Sequence, residues 1–314
     1  RDPATGNVVS RHDRATRAEA ERAITAAREA FDHGPWPHMG AAARGDVLRR
    51  AAAELRERTE ELARLITLET GKPIAQARGE IQTTANLFDH FTHLALEAHG
   101  ESYAISGTYD ALVAREPVGV VAAIVPWNFP IMMLAFKLAP ALAVGCTVVC
   151  KPAELTNSIV AEVCEILRRA GVSDGALNMV SGQGTVVGAA LAESPLVDRV
   201  TFTGSTDVGR GVMRGAAENL TRVGLELGGK SPHLVFADTA RMDDAVDAAC
   251  RNLRSQDRFG LVGLFGGFLD GSDTFGELPE KSLLHIRVKH WKKKHQCGSR
   301  DCVFSTLQIA IRTA

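Results

Sequence analysis

Two side chains in this sequence carry groups suited to work at a strand end. Asn128 lies in "IVPWNFP" (124–130), between Pro126 and Pro130. Proline fixes φ, so the carboxamide is held in direction, and a held N–H donor stabilises a developing oxyanion, a contact whose loss lowers rates by roughly 10²–10³. Asn before Phe-Pro also forms ordinary turns, and the motif alone leaves both readings open. Glu226 closes the apolar run of "VGLELGGKSP" (223–232) and is followed by Gly228 and Gly229. A carboxylate beside such a hinge serves either as a base or as a hydrogen-bonded structural group.

A second set of residues has the chemistry of nucleotide recognition. In "CKPAE" (150–154), Lys151 and Glu154 stand just past another apolar run. A Glu there accepts hydrogen bonds from both hydroxyls of an adenosine ribose, with the Lys completing the grip. The same carboxylate repels a 2′-phosphate, which favours NAD over NADP. A surface ion pair accounts for the two residues equally well. "FTGSTDVG" (202–209) has Gly204 and Ser205 at a strand end and Gly209 inside the helix that follows. Backbone donors at a positive helix end suit a pyrophosphate, while an ordinary turn with Ser205 as N-cap gives the same letters. "SGQGTVVG" (181–188) is a similar turn. Neither contains G-x-G-x-x-G, and "ETGKP" (69–73) fails as a P-loop because position 66 is Ile.

These groups need elements to hold them. The first hundred residues read as helices, with apolar residues at three- and four-residue spacing in 16–32 and in 41–71, the latter closing on Gly71. A strand pair is expected over 102–116, turning at Gly107 to Asp110. From 118 onward short apolar strands (118–126, 146–152, 176–181, 199–204, 223–228) alternate with helices (131–145, 157–171, 184–194, 205–218). That alternation predicts an α/β fold: a doubly wound parallel sheet, covered on both faces, with ligands off its carboxyl ends. Every group named above falls at such an end.

Composition sets limits. The chain has 314 residues, with 36 Lys+Arg against 37 Asp+Glu, so no global charge points to nucleic acid or an anionic membrane. No apolar run reaches the ~18 residues of a membrane span. No metal site is expected. Six cysteines are scattered, with Cys146, Cys150, Cys164 and Cys250 in apolar surroundings. That suits a reducing compartment, and a cytoplasmic location is the expectation. The chain starts at Arg1 rather than Met, which leaves a preceding targeting segment open. Near residue 250 an Ala- and Arg-rich body gives way to a Lys-rich, Ala-poor tail containing "KHWKKKHQC", read as a solvated surface.

The ordered series PWNFP, KPAE, FTGSTxxG and LELGGKSP resembles the aldehyde dehydrogenase superfamily over about residues 2 to 250. The resemblance implies a Rossmann-like NAD-binding domain (1–228) after N-terminal helices, with 229–250 starting an incomplete catalytic domain. It implies oxidation of a small-molecule aldehyde to an acid with NAD, through a thiohemiacetal on a cysteine. Asn128 would steady the oxyanion and Glu226 would activate water. Cofactor contacts would map onto Ile124, Pro126, Trp127, Lys151, Glu154, Gly184, Gly204, Ser205 and Gly209. The strand pair at 102–116 matches the superfamily's oligomerisation element, and a homo-oligomer stays open.

The nucleophile is where the sequence departs from that pattern. In the superfamily it follows the Glu by about 34 residues in a G-Q-x-C-type loop. Here that count reaches Gly260 and Leu261, in "DRFGLVGLFGG". Cys250 comes too early, and Cys297 and Cys302, in "HQCGSRDC", come too late. The expectation is a truncated or inactive aldehyde dehydrogenase with a tail, 251–314, of different origin. A catalytically silent NAD-binding or subunit-interaction protein is the alternative.

Overall fold

The computed structural model describes residues 1–107, 109–229, 235–236, 241, 244–245 and 283–284. Two compact units meet in sequence between Leu227 and Gly228. In the second, Val235–Phe236 pairs antiparallel with Leu283–Leu284. Cys250, Cys297, Cys302 and the Gly260–Leu261 position lie outside the described residues.

The first unit opens with five helices. Helix α1 (Arg17–Asp32) starts on a capping box: Glu19 N–H donates to Thr16 Oγ1 at 3.3 Å and Thr16 N–H donates to Glu19 Oε2 at 2.7 Å. A short turn, α2 (Pro35–His38), buries Trp36. Then follow α3 (Ala41–Glu57), α4 (Thr59–Thr70) and α5 (Ile74–Leu96). The single helix expected over 41–71 is thus broken at Arg58, where Thr59 Oγ1 donates to the Arg56 carbonyl at 2.7 Å and the Arg58 guanidinium turns to Glu61 and Glu162. Gly71 ends α4 at φ +74°, as its position suggested.

A hairpin follows, β1 (Glu101–Ser106) with β2 (Tyr109–Val113), Glu101 opposite Val113. Its turn is tighter than expected, for Asp110 already pairs with Ala104. Ile105 and Leu112 on this hairpin are exposed.

The rest of the unit is one parallel sheet of β3 (Val120–Ile124), β4 (Thr147–Lys151), β5 (Leu177–Met179), β6 (Arg199–Gly204) and β7 (Arg222–Leu227), in the order β5-β4-β3-β6-β7. The crossovers are α6 (Pro130–Val144), α7 (Asn157–Ala170), α8 (Ala189–Glu193) and α9 (Thr206–Ala217). The helix expected from 184 begins instead as a π-helical turn, Gly184–Gly188, with α8 only after it. Glycines at both ends of that turn weaken the ordinary helical winding. In β3 the side chains alternate although all are buried: Val121 and Ala123 enter a core with α3, α5, α6 and α7, while Val120, Ala122 and Ile124 enter a second core with α1, α8 and α9.

At the sheet's amino edge, Asp198 Oδ2 accepts the Val120 N–H at 2.7 Å and an Arg28 N–H at 2.8 Å. Gly119, at φ +120°, makes room for it, since a Cβ there would stand 1.8 Å from that oxygen. Strand order decides where a ligand goes. β3, β4 and β5 step one way, then the chain returns to β6 on the other side of β3, so the crevice opens at the carboxyl ends of β3 and β6.

Candidate active site

The register brings most of the expected residues to one edge. Ile124 pairs with Lys151 on one side and with Phe202 on the other, and Phe202 pairs with Leu225. One row across the sheet is therefore Lys151, Ile124, Phe202 and Leu225. The next row pairs Thr203 with Glu226 and the one after it Gly204 with Leu227. Pro126, Trp127 and Asn128 follow directly on β3, all half-buried. Gly184 starts the π-helical turn after β5, at the outer end of the same edge.

The side chains have distinct surroundings. Glu226 is exposed, and its charge favours the protonated form of Lys137, whose ammonium donates to Thr203 Oγ1 at 2.7 Å. Burial outweighs that help and pushes the Lys137 pKa down to about 8. Lys151 is turned inward: its ammonium donates to the Pro152 carbonyl at 2.9 Å, and burial lowers its pKa while Glu154 opposes the shift. Glu154 is exposed and faces Arg14 at 3.7 Å, so an ion pair is present beside the nucleotide reading of this motif. Ser205 is the N-cap of α9, its Oγ accepting from Val208 N–H at 3.4 Å and its carbonyl from Gly209 N–H at 2.9 Å.

Two glycines shape this edge. A Cβ on Gly209 would meet the Leu227 side chain at 2.5 Å, so the glycine lets α9 lie close on β7 and bring its positive end to the crevice. Around Gly184 a Cβ would meet nothing within 4 Å, which leaves backbone open to a ligand. A polar cleft of about 440 Å³ opens at the opposite edge among Glu116, Asp198, Asn219 and Arg222, and contains none of the expected residues.

Four largely buried charged groups escaped the sequence reading. Lys137 is one. Glu69 and Glu80 are two more: Glu69 accepts from Ser158 and Ile159 N–H at 2.9 and 3.1 Å, and Glu80 from Ile131 and Met132 N–H at 3.2 and 3.3 Å. The fourth is Lys72, ion-paired with Glu80. Lys137, Glu69 and Glu80 meet partners dozens of residues away, and Lys72 meets Glu80 eight residues on, across the turn between α4 and α5.

The parallel sheet, its two-sided helices and the glycine turns at its carboxyl edge define a nucleotide-binding α/β domain of the doubly wound class. The sequence profile of the aldehyde dehydrogenase family matches residues 1–256, and the chain belongs to that family. Aldehyde dehydrogenase 1 of Tanacetum cinerariifolium is 44% identical over 250 residues, covering 79% of this chain and 50% of that protein. Betaine aldehyde dehydrogenase of Staphylococcus aureus, solved with NAD⁺, superposes with a TM-score of 0.78 at 38% identity, over 80% of this chain and 50% of that one. An NADP-dependent enzyme of E. coli superposes with a TM-score of 0.79, also at 38% identity, over 82% and 53%. The chain spans about half the length of the relatives it matches.

Proposed function

We propose that this chain binds NAD along the carboxyl edge of its sheet, in the manner of an aldehyde-oxidising enzyme. The observation that carries this is the register, which aligns Lys151, Ile124 and Phe202 in one row with Glu226 a single residue beyond. Lys151 and Glu154 would hold the adenosine ribose, Gly184 would leave room beside it, and Gly204, Ser205 and Gly209 would present the α9 end to the pyrophosphate. Ile124, Pro126 and Trp127 would line the crevice. NAD, when bound, supplies the hydride acceptor. Asn128 would donate to the oxygen of a small-molecule aldehyde, and Glu226 would take a proton from water.

We further propose that a polypeptide of this sequence turns over no aldehyde, because Gly260 and Leu261 stand where the nucleophilic thiol belongs. A base and an oxyanion donor have no acyl group to release without it. Titration calorimetry with NAD, and NADH formation with short and aromatic aldehydes, test both halves. Saturable binding without turnover is expected. Turnover that persists in Cys297→Ala and Cys302→Ala would refute the second half, and absence of binding would refute the first.

A further inference from the structure

Helix α6 begins at Pro130, immediately after the segment that carries Trp127 and Asn128. Its N-cap residue, Phe129, makes no side-chain cap. The cap comes from elsewhere: Glu80, from the first half of α5 and with a side chain 0% exposed, accepts both the Ile131 and Met132 N–H groups on Oε1. Its Oε2 takes the ammonium of Lys72, itself almost fully buried, and that same nitrogen lies 3.9 Å from the centre of the Phe129 ring. One ion pair thus grips the residue before α6 by a cation–π contact and the first turn of α6 by two hydrogen bonds. Asn128, between them and β3, has no side-chain hydrogen bond among the described residues.

We propose that Lys72 and Glu80 are positioning residues for the 126–129 segment, fixing where Trp127 and Asn128 stand at the carboxyl edge. A buried ion pair contributes little to stability beyond what apolar side chains of similar size would give. It does impose direction, because Lys72 must meet a ring face and Glu80 must meet a helix end at once. Burial disfavours both charges, pushing Glu80 up and Lys72 down, and each opposes the other's shift. The role in binding rests on the cofactor reading above; the role in placing the segment does not.

The test separates the two. The chain has three tryptophans, Trp36, Trp127 and Trp291. Labelling the full chain with 5-fluorotryptophan gives a ¹⁹F resonance for each, assigned by Trp→Phe variants. Lys72→Met and Glu80→Gln are expected to shift or broaden the Trp127 line while the line of Trp36, deep among the helices, stays in place. NAD affinity is expected to fall about tenfold. Affinity for AMP, which reaches only the Lys151–Glu154 end, is expected to stay within about twofold of the parent. An unmoved Trp127 line in both variants overturns the proposal, as does a Trp36 line that moves along with it. So does a moved Trp127 line with unchanged NAD affinity in a chain that binds NAD. If the parent binds neither nucleotide, the cofactor reading falls and the Trp127 line alone decides the positioning.

Discussion

Lys137 and Thr203 join α6 to β6 through a 2.7 Å hydrogen bond, in the row of the sheet where Thr203 lies opposite Glu226. Burial holds the Lys137 pKa at about 8, against an ordinary 10.5. Between those values the unfolded chain binds the proton and the folded one releases it, so folding stability rises with pH across that window. This group contributes as much as about 3 kcal/mol to the rise. The urea midpoint should climb from pH 8 to pH 10 in the parent and climb less in Lys137→Met. Equal slopes would show that Lys137 titrates as an exposed lysine.

Glu154 decides between the two nicotinamide cofactors if it meets the ribose. Glu154→Gln should weaken NAD binding by about tenfold, the worth of one hydrogen bond to a charged group, and should strengthen NADP binding by removing the repulsion of a phosphate. Loss of the Arg14 contact adds little, because that pair is exposed. Calorimetry with each nucleotide gives the answer. A variant with an unchanged NAD-to-NADP ratio would leave Glu154 as a surface partner of Arg14 and nothing more.

Gly119 holds a position at the amino edge where any side chain is strained. Ala there would combine a left-handed φ with a collision at Asp198 Oδ2, and displacing that carboxylate frees the Val120 N–H and Arg28. Gly119→Ala should destabilise the fold by about 2–4 kcal/mol. In an Asp198→Ala background the same change should cost less, since only the backbone strain remains. Strict additivity in this double-mutant cycle, read by urea denaturation, would contradict the coupling.

Glu69 serves α7 as Glu80 serves α6. Replacing it with Gln removes the charge at a helix start while keeping an acceptor, and about 1–2 kcal/mol of stability should go with it. Amide exchange at Ser158 and Ile159 should speed up in that variant relative to the rest of α7. Unchanged protection there would mean that another group satisfies those donors.

Much of this architecture was legible from spacing. Strands 118–126 and 146–152 read as short apolar runs because both faces of β3 and β4 are covered, and Gly71, Gly145 and Gly171 each end a helix in the left-handed region. The break at Arg58 was hidden because "RERTEE" has good helical letters apart from Thr59, and one Thr does not stop a helix; its hydroxyl bonds back to Arg56 where the ladder is broken. The start of the helix after β5 was misread because an apolar periodicity does not distinguish a π-helical turn from an ordinary one. In the site, motif letters located the edge and its glycines. They did not disclose Lys72, Glu80 or Lys137, whose meaning comes from groups brought near only by the crossovers.

The two helix starts that borrow their carboxylates have a consequence for how this unit comes apart. Helices α6 and α7 each lose the carboxylate that accepts their first N–H groups once α4 and α5 are gone, and Glu69 and Glu80 lose those donors once α6 and α7 are gone. The amino-terminal hundred residues are therefore no detachable cover. A fragment beginning at Val118 should populate an expanded, poorly protected state, and adding residues 1–100 in trans should restore cooperative melting.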